Sequence, residues 1–159
     1  MIIRRATEAD AESLLRMYGE LYKLLSALGL PFSLSKDDLE HILPTLMKSK
    51  MCCLAVAEDE TGICGFVSAA VSRMDRKLNY GGEAMIGIIN DIFAVQRVRG
   101  GGVAAMLLAY AEDFFTEKGV SMVESEVIVK NEASAAFFRK NGYGELAQIL
   151  YKTLPRKES

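Results

Sequence analysis

Several features that commit a chain to a particular environment are scarce or missing here. The chain contains no tryptophan, one histidine, three prolines and three cysteines. No apolar run approaches the roughly 20 residues needed to cross a bilayer, and residues 1–10 lack the apolar core of a secretory signal peptide. We therefore expect a cytoplasmic protein that does not bind membranes.

The cysteines and the histidine also lack the spacing of a metal site. Cys52, Cys53 and Cys64 lie in apolar strand patterns, without Cys-x-x-Cys or Cys/His ligand spacing. This pattern predicts buried free thiols in a reducing compartment, with a catalytic thiolate as the alternative. No serine or cysteine nucleophile motif accompanies His41, so we expect it to be idle.

Neither sign of charge dominates the chain. It has 19 basic and 21 acidic residues and a net charge of −2, which gives no general attraction to nucleic acid or to anionic membranes. Any anion-binding site must therefore be local. A length of 159 residues with 50 % hydrophobic residues predicts one domain over residues 1–159, with residues 155–159 as a polar tail.

The most informative stretch surrounds three consecutive glycines, Gly100–Gly102. An apolar strand pattern ends at Val95, and a helical pattern begins at Val103. The first N–H groups of a helix have no partner inside it and carry partial positive charge, and glycine lets an anion approach them. Arg97 and Arg99 add formal positive charge. The stretch therefore predicts a site for a diphosphate.

These glycines allow three other interpretations. They can form a simple turn. A P-loop is excluded, because Gly102-Val103-Ala104 stands where Gly-Lys-Ser/Thr is required. The dinucleotide-binding fingerprint is satisfied by Gly100, Gly102 and Ala105, with Glu124 at about the right distance. A four-residue link and the antiparallel pattern of the preceding strands argue against it, so an oxidoreductase is a distant alternative.

Two motifs resemble the signatures of the GNAT acetyltransferase superfamily. Arg99 to Ala104, R-G-G-G-V-A, fits the signature Gln/Arg-x-x-Gly-x-Gly/Ala. Asn131 to Tyr143, N-E-A-S-A-A-F-F-R-K-N-G-Y, is similar to N-x-x-A-x-x-F-Y-x-x-x-G-F. The resemblance implies an α/β (α+β) GNAT fold with a mixed, mostly antiparallel central sheet of six to seven strands and about four flanking helices.

The order of patterns along the chain agrees with that fold. We predict β-α-α-β-β-β-α-β-α-β, with a kink or a break of the second helix near Leu43, caused by Pro44. The predicted strands are 1–6, 52–57, 63–72, 84–95, 120–129 and 145–154, and the predicted helices end near 27, begin near 35, begin at 103 and span 131–140.

The resemblance also implies acetyl-CoA as the cosubstrate. Its pantetheine arm would lie in a V-shaped opening between two parting strands and pair with the backbone of Ile92, Phe93 and Ala94. Asn131 would hydrogen-bond the pantetheine region. The diphosphate would be bound by Arg99, Gly100, Gly101, Gly102, Val103, Ala104 and Ala105.

Direct acetyl transfer needs a deprotonated amine, a polarised thioester carbonyl and a proton for the thiolate. For the base we expect Glu126, with Glu124 on the same strand face as the reserve and Asp91 as a second option. The two glutamates can equally be solvated strand carboxylates.

The second signature departs from the family at one position. Phe138 stands where the family has a tyrosine that protonates the CoA thiolate. Water or Tyr143 can replace it, or the thiolate can leave unassisted, because a thiol has a pKa of only about 8.5.

The resulting prediction is an N-acetyltransferase that moves an acetyl group from acetyl-CoA directly to a primary amine of a small molecule or peptide, without a covalent enzyme intermediate. The alternative is a non-catalytic or weakly catalytic acetyl-CoA-binding module. We expect no nucleic-acid partner. The acceptor pocket is expected from Leu28–Leu39, Arg73–Glu83 and the C-terminal strand. The apolar stretch Leu146–Leu154 offers a contact for a homodimer.

Overall fold

The computed structural model describes residues 1–158, and the tail predicted for 155–159 ends at a residue outside this range. Short 3-10 turns at Glu8–Asp10 and Gln96–Val98 precede α1 and α3. The strands and helices, in chain order, are β1 (Ile2–Arg5), α1 (Ala11–Ala27), α2 (Lys36–Lys48), β2 (Cys52–Asp59), β3 (Gly62–Arg73), β4 (Met85–Ala94), α3 (Val103–Glu117), β5 (Val123–Ser125) and α4 (Glu132–Lys140).

The strands form one sheet in the order β1-β2-β3-β4-β5. The first three pairs are antiparallel, and β4 pairs with β5 in parallel. The predicted mixed, mostly antiparallel sheet and the four helices are confirmed. Because α3 connects the only parallel pair among the described residues, it crosses one face of the sheet between β4 and β5.

Two predictions about strands are wrong. The sheet has five strands where six to seven were expected, because residues 145–154 form no strand and are exposed. The strand predicted over 120–129 is reduced to Val123–Ser125, because it pairs with β4 only along Gly87–Ile89. An alternating apolar pattern predicts a strand only where a neighbouring edge accepts its backbone hydrogen bonds.

Of the kink or break predicted near Leu43, the break does not occur, since α2 is one helix from Lys36 to Lys48 with Pro44 inside it. Leu39 and Leu43 are buried on the sheet side of this helix. Their packing offsets the hydrogen bond that proline removes.

Each face of the sheet is covered by one pair of helices. On one face, α1 and α2 pack over a cluster that includes Leu14, Met17, Leu43, Leu54, Phe66 and Phe93. On the other face, α3 and α4 pack over a cluster that includes Val67, Ile89, Leu107, Leu108, Phe115 and Phe138. Of the helices in residues 1–158, none has both the length and the apolar character needed to span a membrane.

Helix α3 approaches the sheet closely at two glycines. A Cβ added at Gly87 would lie 2.8 Å from the ring of Phe115, and one added at Gly65 would lie 3.1 Å from Leu107 and 2.8 Å from the carbonyl oxygen of Phe93. Glycine therefore sets the distance between α3 and strands β3 and β4.

A buried ion pair joins β1 to the start of α1. The guanidinium of Arg4 donates to both carboxylate oxygens of Asp10, at 2.8 and 2.9 Å, and the backbone N–H of Thr7 donates to the same carboxylate at 2.8 Å. Asp10 is 5 % exposed. The hydrogen bonds from Arg4 are the main cause that lowers the pKa of Asp10, against the effect of burial.

We expect Asp10→Asn to lower the free energy of unfolding by about 1–3 kcal/mol at neutral pH, because the amide keeps only one of the two acceptor oxygens and loses the charge that pairs with Arg4. Since folding lowers the pKa of Asp10, its contribution is present above the ordinary carboxyl pKa and is lost as pH falls through the folded-state pKa. The variant should thus lose part of the acid-dependent fall in stability. Chemical denaturation across acid and neutral pH measures both effects. Glu8→Gln, which removes the exposed pair with Lys48, is the control and should change little.

Candidate active site

Strands β4 and β5 part in the middle of β4. Their pairing covers only Gly87–Ile89 and Val123–Ser125, and the hydroxyl of Ser125 donates to the carbonyl oxygen of Ile89 at 3.3 Å. The β3–β4 register shifts at this level, where Ser68 faces Asp91 and Ala69 faces Ile89, so Asn90 is an extra residue on β4. This bulge lies where the pairing of β4 with β5 ends. We call the gap beyond this point, where the resemblance implies a V-shaped opening, the cleft.

The end of β4 presents free backbone groups to that cleft. The N–H of Val95 donates to the carbonyl of Cys64 at 2.9 Å, so Val95 directs its backbone toward β3. Backbone groups alternate between the two edges of a strand, so Phe93 also faces β3, whereas Ile92 and Ala94 face the cleft. Of the three residues predicted to pair with pantetheine, two therefore have backbone groups available.

The glycine loop follows directly. Gly100 and Gly102 have φ of 82° and 84°, a left-handed conformation that favours glycine, and a Cβ at either position would meet nothing within 4 Å. Gly101 donates its N–H to the carbonyl of Val98 at 3.2 Å. Within residues 1–158, no backbone acceptor is recorded for the N–H groups of Gly100, Gly102, Val103, Ala104 and Ala105. The loop and the first turn of α3 thus offer five N–H groups without a backbone acceptor.

The two arginines before the loop have different roles. Arg99 donates from Nε to the carbonyl of Ala94 at 2.9 Å, and its guanidinium lies 5.5 Å from the centre of the Phe93 ring. It therefore ties the loop to the end of β4. Arg97 instead pairs with Asp59 at the end of β2, and this pairing holds the pKa of Asp59 well below its usual range. The charge that we assigned to anion binding at Arg97 is neutralised within the protein.

Asn131 lies at the start of α4. Its side-chain oxygen accepts the N–H of Ser134 at 3.2 Å and caps the helix. Its amide nitrogen has no hydrogen-bond partner among the described residues. The amide N–H groups are therefore the part of Asn131 that can reach a ligand.

The candidate bases lie on both sides of the cleft. Glu124 is in β5 and Glu126 follows one residue after its end, and both are exposed and lie in no ion pair within residues 1–158. Across the cleft, on β4, the carboxylate of Asp91 accepts a hydrogen bond from the hydroxyl of Tyr22 at 3.3 Å.

Asp91 belongs to a polar cluster that sequence reasoning missed. It includes Tyr18, Tyr22 and Ser68, of which Tyr18 and Ser68 are buried. Burial raises the pKa of Asp91, and the hydrogen bonds of Tyr22 and Tyr18 oppose this effect. Two tyrosines one turn apart, with hydroxyls to satisfy, were the available signal.

The position of the missing tyrosine is occupied by a core residue. Phe138 is 5 % exposed and packs edge-on against Tyr143, with ring centres 5.0 Å apart. The hydroxyl of Tyr143 donates to Glu112 at 2.8 Å, and burial raises the pKa of Tyr143. Its proton is therefore bound to α3 and held tightly, which argues against Tyr143 as a substitute acid.

The family assignment follows from sequence comparison. The profile of the family described as acetyltransferase (GNAT) family matches residues 18–143, more than half of the chain. The chain belongs to the acetyltransferase (GNAT) family. Among curated proteins, no sequence matches it. In this GNAT protein, three of the four strand pairs are antiparallel, unlike the parallel βαβαβ unit that the dinucleotide-binding alternative requires.

Solved structures show the same fold at low sequence identity. The aminoglycoside 6'-N-acetyltransferase AAC(6')-IG from Acinetobacter haemolyticus has a TM-score of 0.78 and 19 % identity, with coverage of 99 % of this chain and 100 % of that one. A transcriptional regulator from Bacillus halodurans C-125 has a TM-score of 0.78 and 20 % identity, covering 96 % and 99 %. AAC(6')-Iy, solved with CoA, has a TM-score of 0.78 and 18 % identity, covering 96 % and 93 %.

We expect Tyr22→Phe to raise the pKa of Asp91 further, because the variant removes a hydrogen bond that stabilises the carboxylate. Carbon-detected NMR titration of the side-chain carboxyl measures this pKa. Tyr143→Phe removes a hydroxyl that donates to Glu112, on another helix, and should leave Asp91 unchanged. An unaltered titration of Asp91 in Tyr22→Phe would show that this hydrogen bond does not form in solution.

Proposed function

We propose that this GNAT protein transfers an acetyl group from acetyl-CoA directly to a primary amine of a small molecule or peptide. One observation carries the proposal: the free backbone edge of Ile92 and Ala94 continues into the free N–H groups of the glycine loop. A ligand with a hydrogen-bonding arm followed by a diphosphate matches this order of backbone groups. The CoA bound to the structurally similar AAC(6')-Iy supports the same cosubstrate.

The pantetheine arm pairs with the cleft edge of β4. The N–H and carbonyl of Ile92 and the N–H of Ala94 serve it, because Arg99 already occupies the carbonyl of Ala94. The amide nitrogen of Asn131 donates to the arm from the opposite wall. The diphosphate accepts hydrogen bonds from the loop and from the first turn of α3, where the helix dipole favours negative charge. The donors are Gly100, Gly102, Val103, Ala104 and Ala105; Gly101 shapes the loop, and Arg99 anchors it.

The transfer forms a C–N bond and breaks the thioester C–S bond. Glu126 takes a proton from the ammonium form of the acceptor, directly or through water, and the free amine attacks the carbonyl carbon. A backbone N–H at the cleft edge polarises the carbonyl oxygen. As the amide forms, the nitrogen loses a second proton to solvent. The CoA thiolate leaves without a protein acid, since Phe138 has no proton to donate, and takes its proton from solvent. No covalent enzyme intermediate forms.

The acceptor enters from the side of the cleft opposite the diphosphate. Exposed Glu124 and Glu126 make this mouth acidic, which attracts a cationic amine. We place the residues after α1 and the link between β3 and β4 at the border of the same region. Phe32, which follows α1, and Leu78, in the β3–β4 link, are both exposed. A bisubstrate analogue built from CoA and acetylneamine, bound to AAC(6')-Iy, supports an amine as acceptor.

A second candidate function is an acetyl-CoA-binding module with little or no catalysis. The buried Phe138 and the exposed Glu126 favour it, because Phe138 donates no proton and Glu126 forms no ion pair within residues 1–158. Release of free CoA that depends on an added amine separates the two functions. Tight acetyl-CoA binding without turnover over a broad amine panel supports the module.

We expect Gly102→Glu to abolish the thermal stabilisation of the protein by acetyl-CoA. The substitution places a carboxylate where the diphosphate binds, and a ligand at 100 times its dissociation constant normally adds about 2.7 kcal/mol. Gly119→Glu is a matched control, because Gly119 also has a left-handed φ with open space around it but lies after the far end of α3. Both variants should melt lower than the wild type, and only Gly119→Glu should retain the acetyl-CoA shift.

We expect Glu126→Gln to lower kcat by about 10²–10⁴-fold, as for loss of a general base, while acetyl-CoA affinity is unchanged. Steady-state kinetics with a responsive amine and calorimetric binding of acetyl-CoA give the two quantities. Glu124→Gln and Asp91→Asn are measured in parallel. If Asp91→Asn abolishes turnover while Glu126→Gln does not, the base is Asp91.

A further inference from the structure

The glycine loop forms few hydrogen bonds outside its own stretch of chain. Three consecutive glycines lose more backbone entropy on ordering than other residues do. The backbone hydrogen bonds recorded here join near neighbours: the N–H groups of Val98, Arg99 and Gly101 donate to the carbonyls of Val95, Gln96 and Val98, at 3.1, 3.2 and 3.2 Å. Such bonds shape the turn, but they do not fix its position relative to the sheet.

One ion pair joins this stretch to a distant part of the chain. Arg97, in the 3-10 turn before the loop, donates from its two terminal nitrogens to the two carboxylate oxygens of Asp59. Within residues 1–158, no other side-chain hydrogen bond or ion pair is recorded between residues 96–102 and the chain outside residues 94–102. Val98 adds an apolar contact with the core under α3. The pair is thus the polar tether of the loop.

The tether spans the start of β3. Asp59 is the last residue of β2 and pairs with Gly62, and Ala94 is the last residue of β4 and pairs with Gly65. Strands β2 and β4 lie on opposite sides of β3. The side chain of Arg97 therefore reaches across the first residues of β3, and the loop is attached to a second strand besides the one that it follows.

The carboxylate of Asp59 is itself held in place. Its Oδ1 also accepts the N–H and the hydroxyl of Thr61, both at 2.8 Å. The side chain of Asp59 is 20 % exposed and that of Arg97 is 46 % exposed. A single exposed ion pair contributes little to stability, but a bidentate pair on a fixed carboxylate has a defined geometry. The pair is therefore better suited to positioning the loop than to stabilising the fold.

The position of the loop matters because one ligand must use two sets of backbone groups. In the proposed function, the cleft edge of Ile92 and Ala94 binds the arm, and the N–H groups of the loop bind the diphosphate. The two parts of the ligand are covalently joined, so a displaced loop loses contacts at one end or misplaces the other. Residues that support such a site from behind set its affinity.

We propose that Asp59 is a positioning residue for acetyl-CoA, and that by holding Arg97 it keeps the glycine loop at the distance from the cleft edge that the coenzyme requires. This inference rests on the proposed function. Asp59 acts through Arg97 and does not itself contact the coenzyme. A purely electrostatic role, in which the pair only sets the charge near the diphosphate, predicts the opposite result for the loss of Asp59.

Two variants break the pair from its two ends. Asp59→Asn keeps the oxygen that accepts from Thr61 but turns an amide nitrogen toward Arg97, and Arg97→Met keeps an unbranched apolar stem. Each should weaken acetyl-CoA binding by about tenfold, within the range of coupled neighbours, and leave kcat at saturating acetyl-CoA unchanged. In the electrostatic role, Asp59→Asn would bind more tightly, because the freed guanidinium attracts the diphosphate, and only Arg97→Met would bind more weakly.

The double variant Asp59→Asn/Arg97→Met should bind acetyl-CoA as weakly as either single variant, because one substitution already breaks the pair. Calorimetry gives the dissociation constants. Glu8→Gln breaks the exposed pair with Lys48 instead and should bind like the wild type. Wild-type or tighter affinity in Asp59→Asn, or losses in the double variant that multiply those of the single variants, would overturn the proposal.

Hydrogen exchange without any ligand tests the tether separately. The amides of Val98, Arg99 and Gly101 should exchange faster in both single variants than in the wild type, because the turn that they close opens more often. The amide of Leu108, inside α3, should exchange as in the wild type. Unchanged exchange of the three amides overturns the proposal whatever the protein binds. A wild type that does not bind acetyl-CoA, with faster exchange in both variants, refutes the proposed function and leaves the positioning of the loop by Asp59 supported.

Discussion

The extra residue at Asn90 is the constraint on which the site depends. Without this register shift, β4 would pair with β5 along its whole length, and no free edge would remain between these two parallel strands. The bulge bends β4 after Ile89, and the short β5 cannot follow it. Backbone groups that a sheet would normally use internally are thereby made available to a ligand. The proposed recognition of pantetheine needs no special side chain along this edge, because the fold supplies the donors and acceptors.

The bulge also places different groups on the two sides of the strand. Asn90 is exposed, and Asp91 turns toward α1, where Tyr22 reaches it. A carboxylate held among tyrosines and a buried serine is shielded from water, whereas Glu126 across the cleft is hydrated. The two acids therefore differ in environment although they border the same opening. This contrast makes their roles separable by experiment, since burial raises the pKa of Asp91.

The parts of the structure that the sequence predicted correctly depend on local patterns. The glycine loop and the four helices, including α3 after the loop, follow from spacing, capping and the two signatures. The missed features require knowledge of distant neighbours. Nothing near Arg97 in sequence indicates its pairing with Asp59, and no pattern in α1 places Tyr22 beside Asp91. The stretch 145–154 has the composition of a strand, but composition does not identify the edge on which a strand forms.

The close contact of Gly87 with Phe115 also limits which residues can replace Gly87. It lies in the short region where β4 still pairs with β5, on the face that α3 covers. A methyl group there would push α3 outward, and the glycine loop at its other end would tilt with it. The cleft and the loop would then no longer match the length between the pantetheine arm and the diphosphate of the proposed coenzyme. The absence of a side chain at Gly87 therefore sets the distance between α3 and β4. We expect amino-acid substitutions at this position to accumulate far more slowly than its distance from any reacting atom would suggest.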